Sequence, residues 1–421
     1  MSRLVPKLRF KEFSGEWEDN RLGNVYKFFP TKSFPRDKLN YEKGKVKNIH
    51  YGDIHTKFST LFDITKETVP YINQSVNISN IKKNSYCLEG DIVFADASED
   101  LDDIGKSIEL INLNNESLLA GLHTLLARQI EKNIIKGFTG YLFKSNSIRN
   151  QIKREAQGAK VLGLSARKLE NISISFPKEK KEQQKIASCL SSLDSLIEAQ
   201  NKKVSALKQH KKGLMQQLFP AEGEREPKRR FKAFSGEWEE KKLGDITTYH
   251  NGKAHEQDIK EIGEYIVVNS KFISTNGKVK KYTDTAFCIA QKNEILMVLS
   301  DVPNGRAIAK CFLVDKSNLY TVNQRVCKIS SNNTVSVLLF YILNRNKYFL
   351  DFDDGVKQTN LKKDDVLNCP IILPKEQKEQ QKIASCLSSL DALIKAQNKK
   401  VEALKKHKKG LMQQMFVSRE V

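Results

Sequence analysis

The sequence predicts an α/β protein in which two globular α/β domains are joined by a long antiparallel two-helix coiled coil, with a pseudo-two-fold internal repeat. Three observations lead to this fold class. Two blocks of sequence occur twice, one of these blocks carries a heptad repeat, and the stretches between them alternate short apolar runs with turn residues. A chain of 421 residues is long enough for two or three domains.

The internal repeat is the strongest of these signals. Residues 177–219 recur as 374–416 at an offset of 197, with 37 of 43 positions identical. Residues 6–25 recur as 227–246 at an offset of 221. The stretches between the shared blocks, 151 and 127 residues long, are almost unrelated. Uneven drift after a duplication would not spare one block while erasing its neighbour, so the pattern indicates a fixed scaffold that carries two different recognition domains.

The repeat divides the chain into five segments. They are a first recognition domain at 1–176, a first coiled-coil helix at 177–219, a linker at 220–226, a second recognition domain at 227–373, and a second coiled-coil helix with the C-terminal tail at 374–421.

The long shared block predicts a coiled-coil helix. From Glu182 to Leu218 it contains no proline and one glycine, and apolar residues recur in alternating steps of four and three. Each helix is therefore expected to bury one stripe of residues against the other helix. We call this stripe the seam: Ile186, Leu190, Leu193, Ile197, Gln200, Val204, Leu207, Leu214, Leu218, Ile383, Leu387, Leu390, Ile394, Gln397, Val401, Leu404, Leu411 and Met415, with Lys211 and Lys408 completing the period.

Charge favours an antiparallel pair. The second half of the first helix contains five lysines and no acid, and the corresponding part of the second helix contains six lysines and one glutamate. Parallel pairing would place the two lysine-rich halves side by side, whereas antiparallel pairing places each near acids such as Asp194. Gln200 is then expected to face Gln397. A helix of ~38 residues spans about 57 Å, which corresponds to roughly 17 base pairs of duplex DNA.

The two dissimilar stretches have the pattern of α/β domains. Helices are predicted at 335–344 and 140–152, and Trp17 and Trp238 are predicted to anchor the domain cores. Strands are predicted at 91–95, 118–128, 264–269, 295–299 and 325–329.

Composition narrows the class of protein. Lys and Arg total 71 against 50 Asp and Glu, a formal charge of +21, which indicates a polyanionic partner such as nucleic acid; a solvated basic surface is the alternative. No apolar run approaches the ~18 residues of a membrane helix, and the N-terminus lacks the apolar stretch of a secretory signal. Seven cysteines without a CxxC pair suit a reducing compartment, so we expect a cytoplasmic protein that does not bind membranes.

A search for catalytic, cofactor-binding and metal-binding motifs finds none. No two glycines are two residues apart, which excludes a G-x-G dinucleotide turn, and no two prolines are adjacent. Gly105-Lys106-Ser107 resembles the end of a Walker A loop, but Asp100 stands where its first glycine belongs. His50 and His55 are five residues apart in a predicted loop, where contact with DNA is a better interpretation than a metal site. We therefore predict no active site and no bound cofactor.

Polar and basic segments remain as candidates for DNA contact. They lie at 50–57, 103–106, 123–128 and 158–168 in the first domain and at 268–271, 301–306, 322–325 and 355–363 in the second. Lys160 and Lys357 occupy equivalent places at an offset of 197, which favours a phosphate contact common to both domains. The alternative for each residue is that it is an ordinary surface or turn residue without a role in binding. The candidates are His50, Tyr51, His55, Lys57, Lys106, His123, Arg128, Lys160, Ser165, Arg167, Asn269, Ser270, Lys271, Asn304, Arg306, Asn323, Gln324, Arg325, Lys357, Gln358, Thr359 and Asn360.

These residues and motifs resemble a known family. The run K-E-Q-Q-K-I-A-S-C-L-S-S-L-D-x-L-I, preceded by G-x-K…L…L-x-N-x-x-I…P in both halves, is similar to the DNA specificity subunit of type I restriction–modification systems. The openings from Trp17 to Gly23 and from Trp238 to Gly244 are similar to that family too. One departure is Val161-Leu162-Gly163 in the first half, where the second half has Gln358-Thr359-Asn360.

The resemblance implies two target-recognition domains held apart by the coiled coil, each reading one half of a split, asymmetric site in double-stranded DNA. It implies a subunit without catalytic activity that recruits two adenine methyltransferase subunits, which use S-adenosylmethionine, and two restriction subunits, which use ATP and Mg²⁺. Two other classes of protein remain open from the residues alone. One is a stand-alone nuclease or DNA-modifying enzyme, and the other is a structural coiled-coil linker.

Overall fold

The computed structural model describes residues 4–158, 160–303 and 305–418. The chain forms two compact units. The first comprises Met1–Asn201 and Lys399–Val421, and the second comprises Lys202–Asn398. Each unit therefore combines one of the two dissimilar stretches with part of each shared tail block. The predicted α/β fold class with two long helices is confirmed.

The first half of the chain contains thirteen strands and six α-helices within the described ranges. The strands are β1 (Glu18–Arg21), β2 (Tyr26–Phe29), β3 (Leu39–Asn40), β4 (Val46–Ile49), β5 (Leu61–Asp63), β6 (Tyr71–Ile72), β7 (Ile92–Ala95), β8 (Ala97–Ser98), β9 (Ser107–Asn112), β10 (Ser117–Ala120), β11 (Thr124–Gln129), β12 (Leu162–Gly163) and β13 (Ser173–Phe176). The helices are α1 (Leu22–Val25), α2 (Tyr51–Thr56), α3 (Thr139–Leu142), α4 (Asn146–Glu155), α5 (Ala166–Glu170) and α6 (Lys180–Leu218).

The second half of the chain repeats this plan. Its strands are β14 (Glu239–Lys242), β15 (Thr247–Asn251), β16 (Tyr265–Val268), β17 (Tyr282–Thr283), β18 (Ile289–Ala290), β19 (Ile295–Val298), β20 (Ser300–Asp301), β21 (Cys311–Leu313), β22 (Tyr320–Val322), β23 (Val326–Ser331), β24 (Thr359–Asn360) and β25 (Pro370–Leu373). Its helices are α7 (Leu243–Ile246), α8 (Ser270–Ser274), α9 (Ser336–Leu343), α10 (Lys347–Leu350), α11 (Lys363–Leu367) and α12 (Gln377–Gln414).

Each unit contains two larger sheets and two small ribbons. In the first unit the larger sheets have the orders β10-β4-β6-β3 and β2-β11-β7-β9-β5, and the ribbons are β1-β13 and β12-β8. In the second unit the orders are β17-β16-β22-β18 and β15-β23-β19-β21, with ribbons β14-β25 and β20-β24. In both units one strand pair in a four-stranded sheet, β4 with β10 or β16 with β22, is parallel.

Both long helices pack antiparallel within each unit. In the first unit Ile186 and Leu190, near the start of α6, share a buried cluster with Met415, which follows α12. In the second unit Leu218, at the end of α6, shares a buried cluster with Ile383 and Leu387, near the start of α12. All eighteen seam residues are buried or half-buried. The heptad repeat explains this burial, because its seam positions return to one helix face.

The shared opening and tail blocks bind one another in each unit. Arg9 donates to both carboxylate oxygens of Glu182 at 2.8 Å, and Glu182 is 1% exposed. Arg230 makes the same pair of bonds with Glu379 in the second unit. Trp17 is 2% exposed and Trp238 is 1% exposed, as expected of core anchors. Sequence identity in these blocks therefore coincides with the contacts that seat each domain on its helices.

Three predicted elements are wrong in detail. The predicted loop that holds His50 and His55 contains helix α2, Tyr51–Thr56, which His50 caps. The single strand predicted at 118–128 is two strands, β10 and β11, because residues 121–123 turn the chain and His123 has φ +52°. The single helix predicted at 140–152 is two helices, α3 and α4, because Ser145 adopts an extended backbone between them. The other predicted strands and helices agree with the structure within about two residues.

No helix within the described ranges combines the length and apolar character needed to cross a membrane. All seven cysteines are free thiols, and burial raises the pKa of Cys87, Cys311, Cys327 and Cys369.

Candidate nucleic-acid interface

Parallel strand pairing brings two candidate segments of the first unit together. Strands β4 and β10 are parallel, so their carboxyl ends meet at one edge of the sheet. Helix α2 follows β4, and residues 121–123 follow β10. The backbone N–H of Tyr51 donates to the carbonyl of Leu122 at 3.2 Å, which joins the two segments.

The side chains at this edge form an aromatic cluster around Tyr51. Its ring centroid lies 4.7 Å from that of His50, 5.7 Å from that of His55 and 5.2 Å from that of His123. His50 caps α2, because its Nδ1 atom accepts from the N–H of Gly52 at 3.2 Å. Burial, with the nearby charge of Arg36, lowers the pKa of His50 and so favours the neutral imidazole.

A third candidate segment reaches the same place through the β8-β12 ribbon. Asp96 precedes β8, and its carbonyl accepts from the N–H of Leu164, next to β12, at 2.9 Å. The Asp96 carboxylate lies 3.2 Å from Nδ1 of His123, and burial raises the pKa of Asp96. His55 Nε2 lies 3.0 Å from the carbonyl of Ala97 in β8. The helix start, the 121–123 turn and the ribbon therefore meet at one surface.

The second unit builds the same surface from different side chains. Helix α8 follows β16, and residues 323–325 follow β22, which is parallel to β16. Asn269 caps α8, since its Oδ1 atom accepts from the N–H of Phe272 at 2.9 Å. The N–H of Asn323 donates to the carbonyl of Val268 at 3.0 Å, which holds the turn against the end of β16. Gln324 is exposed and donates to Glu256 at 3.1 Å.

The β20-β24 ribbon occupies the equivalent place in the second unit. Leu299 donates its N–H to the carbonyl of Arg325 at 3.0 Å and accepts from Leu361 at 2.8 Å. Asp96 makes the matching backbone bonds with His123 and Leu164 in the first unit. Gln358, beside β24, donates to the hydroxyl of Ser300 at 2.7 Å.

Most sequence candidates that lie on these surfaces are accessible. Three are buried: His50 and Asn323 at 8% exposure and Thr359 at 6%. Half-buried candidates are Tyr51, His55, Lys106, Arg128, Asn269 and Ser270. Exposed candidates are Lys57, His123, Lys160, Ser165, Arg167, Lys271, Arg306, Gln324, Arg325, Lys357, Gln358 and Asn360. Asn304 lies outside the described residues.

The side chains of three candidates are already bound to other groups of the protein. Arg128 donates to both carboxylate oxygens of the buried Asp91 at 2.7 Å and stacks on Phe29 at 4.7 Å. Ser165 caps α5, and its hydroxyl accepts from Lys168 N at 3.4 Å. The Lys57 ammonium lies 2.8 Å from the Asp53 carboxylate. We leave Arg128 out of the proposed interface because its guanidinium is committed to Asp91.

Several residues at the interface were not among the sequence candidates. Asp96 connects the turn to the ribbon in the first unit. In the second unit the Asp301 carboxylate accepts from the N–H groups of Val302, Ala307 and Ile308. A signal was available for both acids, because each lies at or just beyond a strongly apolar strand. Among the described residues, no group of three or more His, Cys, Asp and Glu side chains could hold a metal ion.

The fold and these surfaces define a duplicated α/β protein with one candidate nucleic-acid interface in each unit. Residues 14–209 and 235–406 match the family described as Type I restriction modification DNA specificity domain. The chain belongs to this family and is a type I restriction–modification specificity subunit.

Individual relatives agree with this membership. The chain is 26% identical over 422 residues to the putative type I restriction enzyme MjaX specificity subunit of Methanocaldococcus jannaschii, covering 96% of this chain and 94% of the relative. It is 28% identical over 295 residues to the MjaVIII specificity subunit of the same organism, covering 65% of this chain and 68% of the relative.

Solved structures share the fold. The S subunit of a type I restriction–modification system from M. genitalium matches with a TM-score of 0.62 at 14% identity, covering 99% of this chain and 100% of that structure. A structure described in terms of complex assembly and conformational transition of the type I R-M system matches with a TM-score of 0.55 at 14% identity, covering 94% and 96%.

Proposed function

We propose that each unit reads one half of a bipartite, asymmetric site in double-stranded DNA. The observation that carries this proposal is that two equivalent surfaces present different side chains. The first offers imidazole and phenol groups around Tyr51, and the second offers amide, hydroxyl and guanidinium groups at 269–271 and 323–325. Amides pair with adenine and guanidinium groups with guanine in the major groove, so unlike surfaces favour unlike half-sites.

The basic groups around these surfaces supply affinity that does not depend on sequence. Lys160 and Lys357 are exposed beside the equivalent ribbons. Lysines in such positions bind backbone phosphates and give salt-dependent affinity, whereas base edges give specificity. We assign Lys160 and Lys357 to phosphate contact and assign base readout to the side chains that differ between the units.

We propose that the two long helices set the length of the unread spacer and, with the shared blocks, dock two methyltransferase subunits. Helices of 39 and 38 residues support this role, since about 1.5 Å per residue gives a rod of about 57 Å. Two restriction subunits would join the complex for cleavage. In this proposal the chain itself is not catalytic and binds no cofactor; S-adenosylmethionine belongs to the methyltransferase subunits, and ATP with Mg²⁺ belongs to the restriction subunits.

Methylation profiling tests the proposal. Methylated adenines are mapped in cells that carry the gene, in cells that lack it, and in cells to which it is restored. The expected result is one gapped, asymmetric motif that is methylated only when the gene is present. Cleaved or methylated DNA produced by the purified chain with cofactors, without other subunits, would contradict the non-catalytic role and favour a stand-alone enzyme.

A further inference from the structure

A basic cavity lies beside the candidate interface of the first unit. It has a volume of about 260 Å³ and is lined by Asp102, Asp103, Lys106, Ser107, Phe143, Lys144 and Arg149. Lys106 connects it to the interface, because its ammonium donates to the carbonyl of His55 in α2. Since one water occupies about 30 Å³ of the liquid, the cavity has room for a small anion with part of its hydration shell.

Two donors on the wall of this cavity are buried without a protein partner. They are the Nη1 atom of Arg149 and the hydroxyl of Ser107, which have no hydrogen-bond partner among the described residues. The other terminal nitrogen of Arg149 donates to the carbonyls of Asp102 and Ile104, so the guanidinium is held in place while Nη1 remains available. Buried donors without partners are costly, and an acceptor in the cavity would remove that cost.

The charge of the cavity favours an anion. Lys106, Lys144 and Arg149 line it, and burial lowers the pKa of both Lys144 and Arg149, to about 8 for Lys144. The two carboxylates of the lining are already paired: Asp102 contacts Lys153, and Asp103 lies 3.6 Å from Lys106. Asp194 and Lys408 add opposite charges near Lys144. Three basic and two acidic side chains line the cavity, so the lining keeps a net positive charge.

The second unit serves as an internal comparison. Lys310 and Arg345 repeat the contacts of Lys106 and Arg149, donating to the carbonyls of Ser274 and Ile308. The other two side chains differ. Cys311 follows Lys310 as Ser107 follows Lys106, and Asn344 lies three residues after Tyr341 as Lys144 lies three residues after Tyr141. Asn344 accepts from the N–H of Cys311 at 2.9 Å, and the Cys311 thiol contacts the carbonyl of Ala309 at 3.6 Å. The available donors are therefore particular to the first unit.

We propose that the cavity bounded by Lys106, Ser107, Lys144 and Arg149 binds a phosphate group. Lysine and arginine with a hydroxyl donor are the groups that bind phosphate in proteins, and charge-assisted bonds of this kind are the strong ones. The phosphate has two possible sources: the backbone of bound DNA, which rests on the proposed function, and a free anion, which does not.

The first experiment uses the purified full-length chain without DNA. Inorganic phosphate is titrated calorimetrically at constant ionic strength into the wild type, Lys144→Asn and Lys132→Asn. Lys144→Asn installs the residue of the second unit, and Lys132→Asn removes the same charge from an exposed position. We expect Lys144→Asn to weaken phosphate binding at least about tenfold and Lys132→Asn to leave it unchanged. The difference in phosphate affinity between the wild type and Lys144→Asn should also shrink from pH 7 to pH 9, as Lys144 loses its proton.

The second experiment identifies the source. The salt dependence of DNA binding is measured for the wild type and Lys144→Asn. The measured quantity is the slope of the logarithm of the DNA-binding constant against the logarithm of the salt concentration. A slope smaller in magnitude by about one in the variant assigns the site to a backbone phosphate, and an unchanged slope assigns it to a free anion. Circular dichroism checks folding, and Lys144→Gln replaces a variant that does not fold. Equal phosphate affinity and equal salt slope in wild type and variant would overturn the proposal, whereas a wild type that binds phosphate but no DNA would overturn only the proposed function.

Discussion

The Nζ atom of Lys211 lies 2.6 Å from both carboxylate oxygens of Asp391. Lys211 occupies a seam position of α6, and it also lies 4.7 Å from the centroid of the Tyr341 ring. The Tyr341 hydroxyl donates to the same carboxylate at 2.7 Å. Two helices and the second recognition domain therefore meet at one polar triad.

The first unit repeats the triad. Lys408 binds Asp194, the Tyr141 hydroxyl donates to Asp194 at 2.8 Å, and the Lys408 ammonium lies 5.1 Å from the Tyr141 ring centroid. Only antiparallel helices bring a lysine from the end of one helix to an aspartate near the start of the other. The lysines that interrupt the apolar seam thus fix the direction and register of the helix pair.

The triad should be measurable as a coupling energy. We expect a double-mutant cycle of Lys211→Met and Asp391→Ala to give about 1 kcal/mol of coupling in the free energy of unfolding, since Lys211 is 19% exposed and solvent screens the 42% exposed Asp391. Urea titration measures it. The exposed Lys405–Glu402 pair on α12 is the control and should show no measurable coupling. If the stability losses of the two single variants add up to that of the double variant, the triad does not act as a unit.

Glu182 and Glu379 offer a matched test of how the shared blocks seat the domains. Glu182→Ala removes two bonds from Arg9 and a bond of 3.3 Å from Trp17 Nε1, while Glu379→Ala removes only the two bonds from Arg230. Each variant should lose up to about 3 kcal/mol of stability, because a half-buried guanidinium is left without its carboxylate partner. The Glu182 variant should lose about 1 kcal/mol more.

Thermal and urea unfolding of both variants measure this difference. Trp238 Nε1 has no hydrogen-bond partner among the described residues, so the comparison isolates the contribution of the tryptophan bond. Equal losses of stability in the two variants would show that the bond from Trp17 contributes nothing.

Glu109 should make stability depend on pH. This side chain is buried in β9 and accepts from the N–H groups of Gly137 and Gly140 at 2.7 Å, and burial raises its pKa to about 7. Since the folded state holds the proton more tightly than the unfolded state, the contribution of Glu109 to stability is most favourable below about pH 4.5 and becomes less favourable until about pH 7. Over this window Glu109 should cost up to about 3 kcal/mol.

Glu109→Gln keeps an acceptor and removes the titration. The difference in unfolding free energy between wild type and variant should change by up to about 3 kcal/mol between pH 4.5 and pH 7, with the variant gaining relative stability as pH rises. Because the other titrating groups are the same in both proteins, their contributions cancel in this difference. A difference that stays constant with pH would show that Glu109 does not titrate in this range.

Single substitutions at the two surfaces should act on separate half-sites. We expect His123→Ala to relax specificity in one half of the motif and Gln324→Ala in the other, each at a cost of about 1–3 kcal/mol in binding free energy. Both side chains are exposed in the turn after the equivalent parallel strand. Binding to duplexes with each half-site randomised in turn measures the effect. Loss in both halves from either single variant would contradict separate reading.

The sequence predicted the long helices well because their signal is local and long. The first coiled-coil helix is predicted at 177–219, and the observed helix runs from Lys180 to Leu218. Gly121 could have indicated the turn that divides the strand predicted at 118–128. A Cβ atom there would lie 2.3 Å from the carbonyl of Ile49, so the turn between β10 and β11 requires this glycine.

The convergence of the candidate segments could not be predicted in the same way. It depends on the parallel pairing of β4 with β10 and of β16 with β22, strands that are far apart in the chain. Composition marked His50 and His123 as polar loop residues, but only the pairing places both around Tyr51. The ion pair of Arg128 could not be predicted in this way either, because its partner Asp91 lies 37 residues earlier in the chain, just before β7.

The central claim is that the two units read different half-sites independently, and a block exchange tests it most directly. Residues 26–176 are replaced by the corresponding stretch of another specificity subunit, all shared blocks are retained, and adenine methylation is mapped across the genome. The account predicts that one half of the methylated motif changes while the other half and the spacer stay the same. A motif that changes in both halves, or in neither, would contradict it.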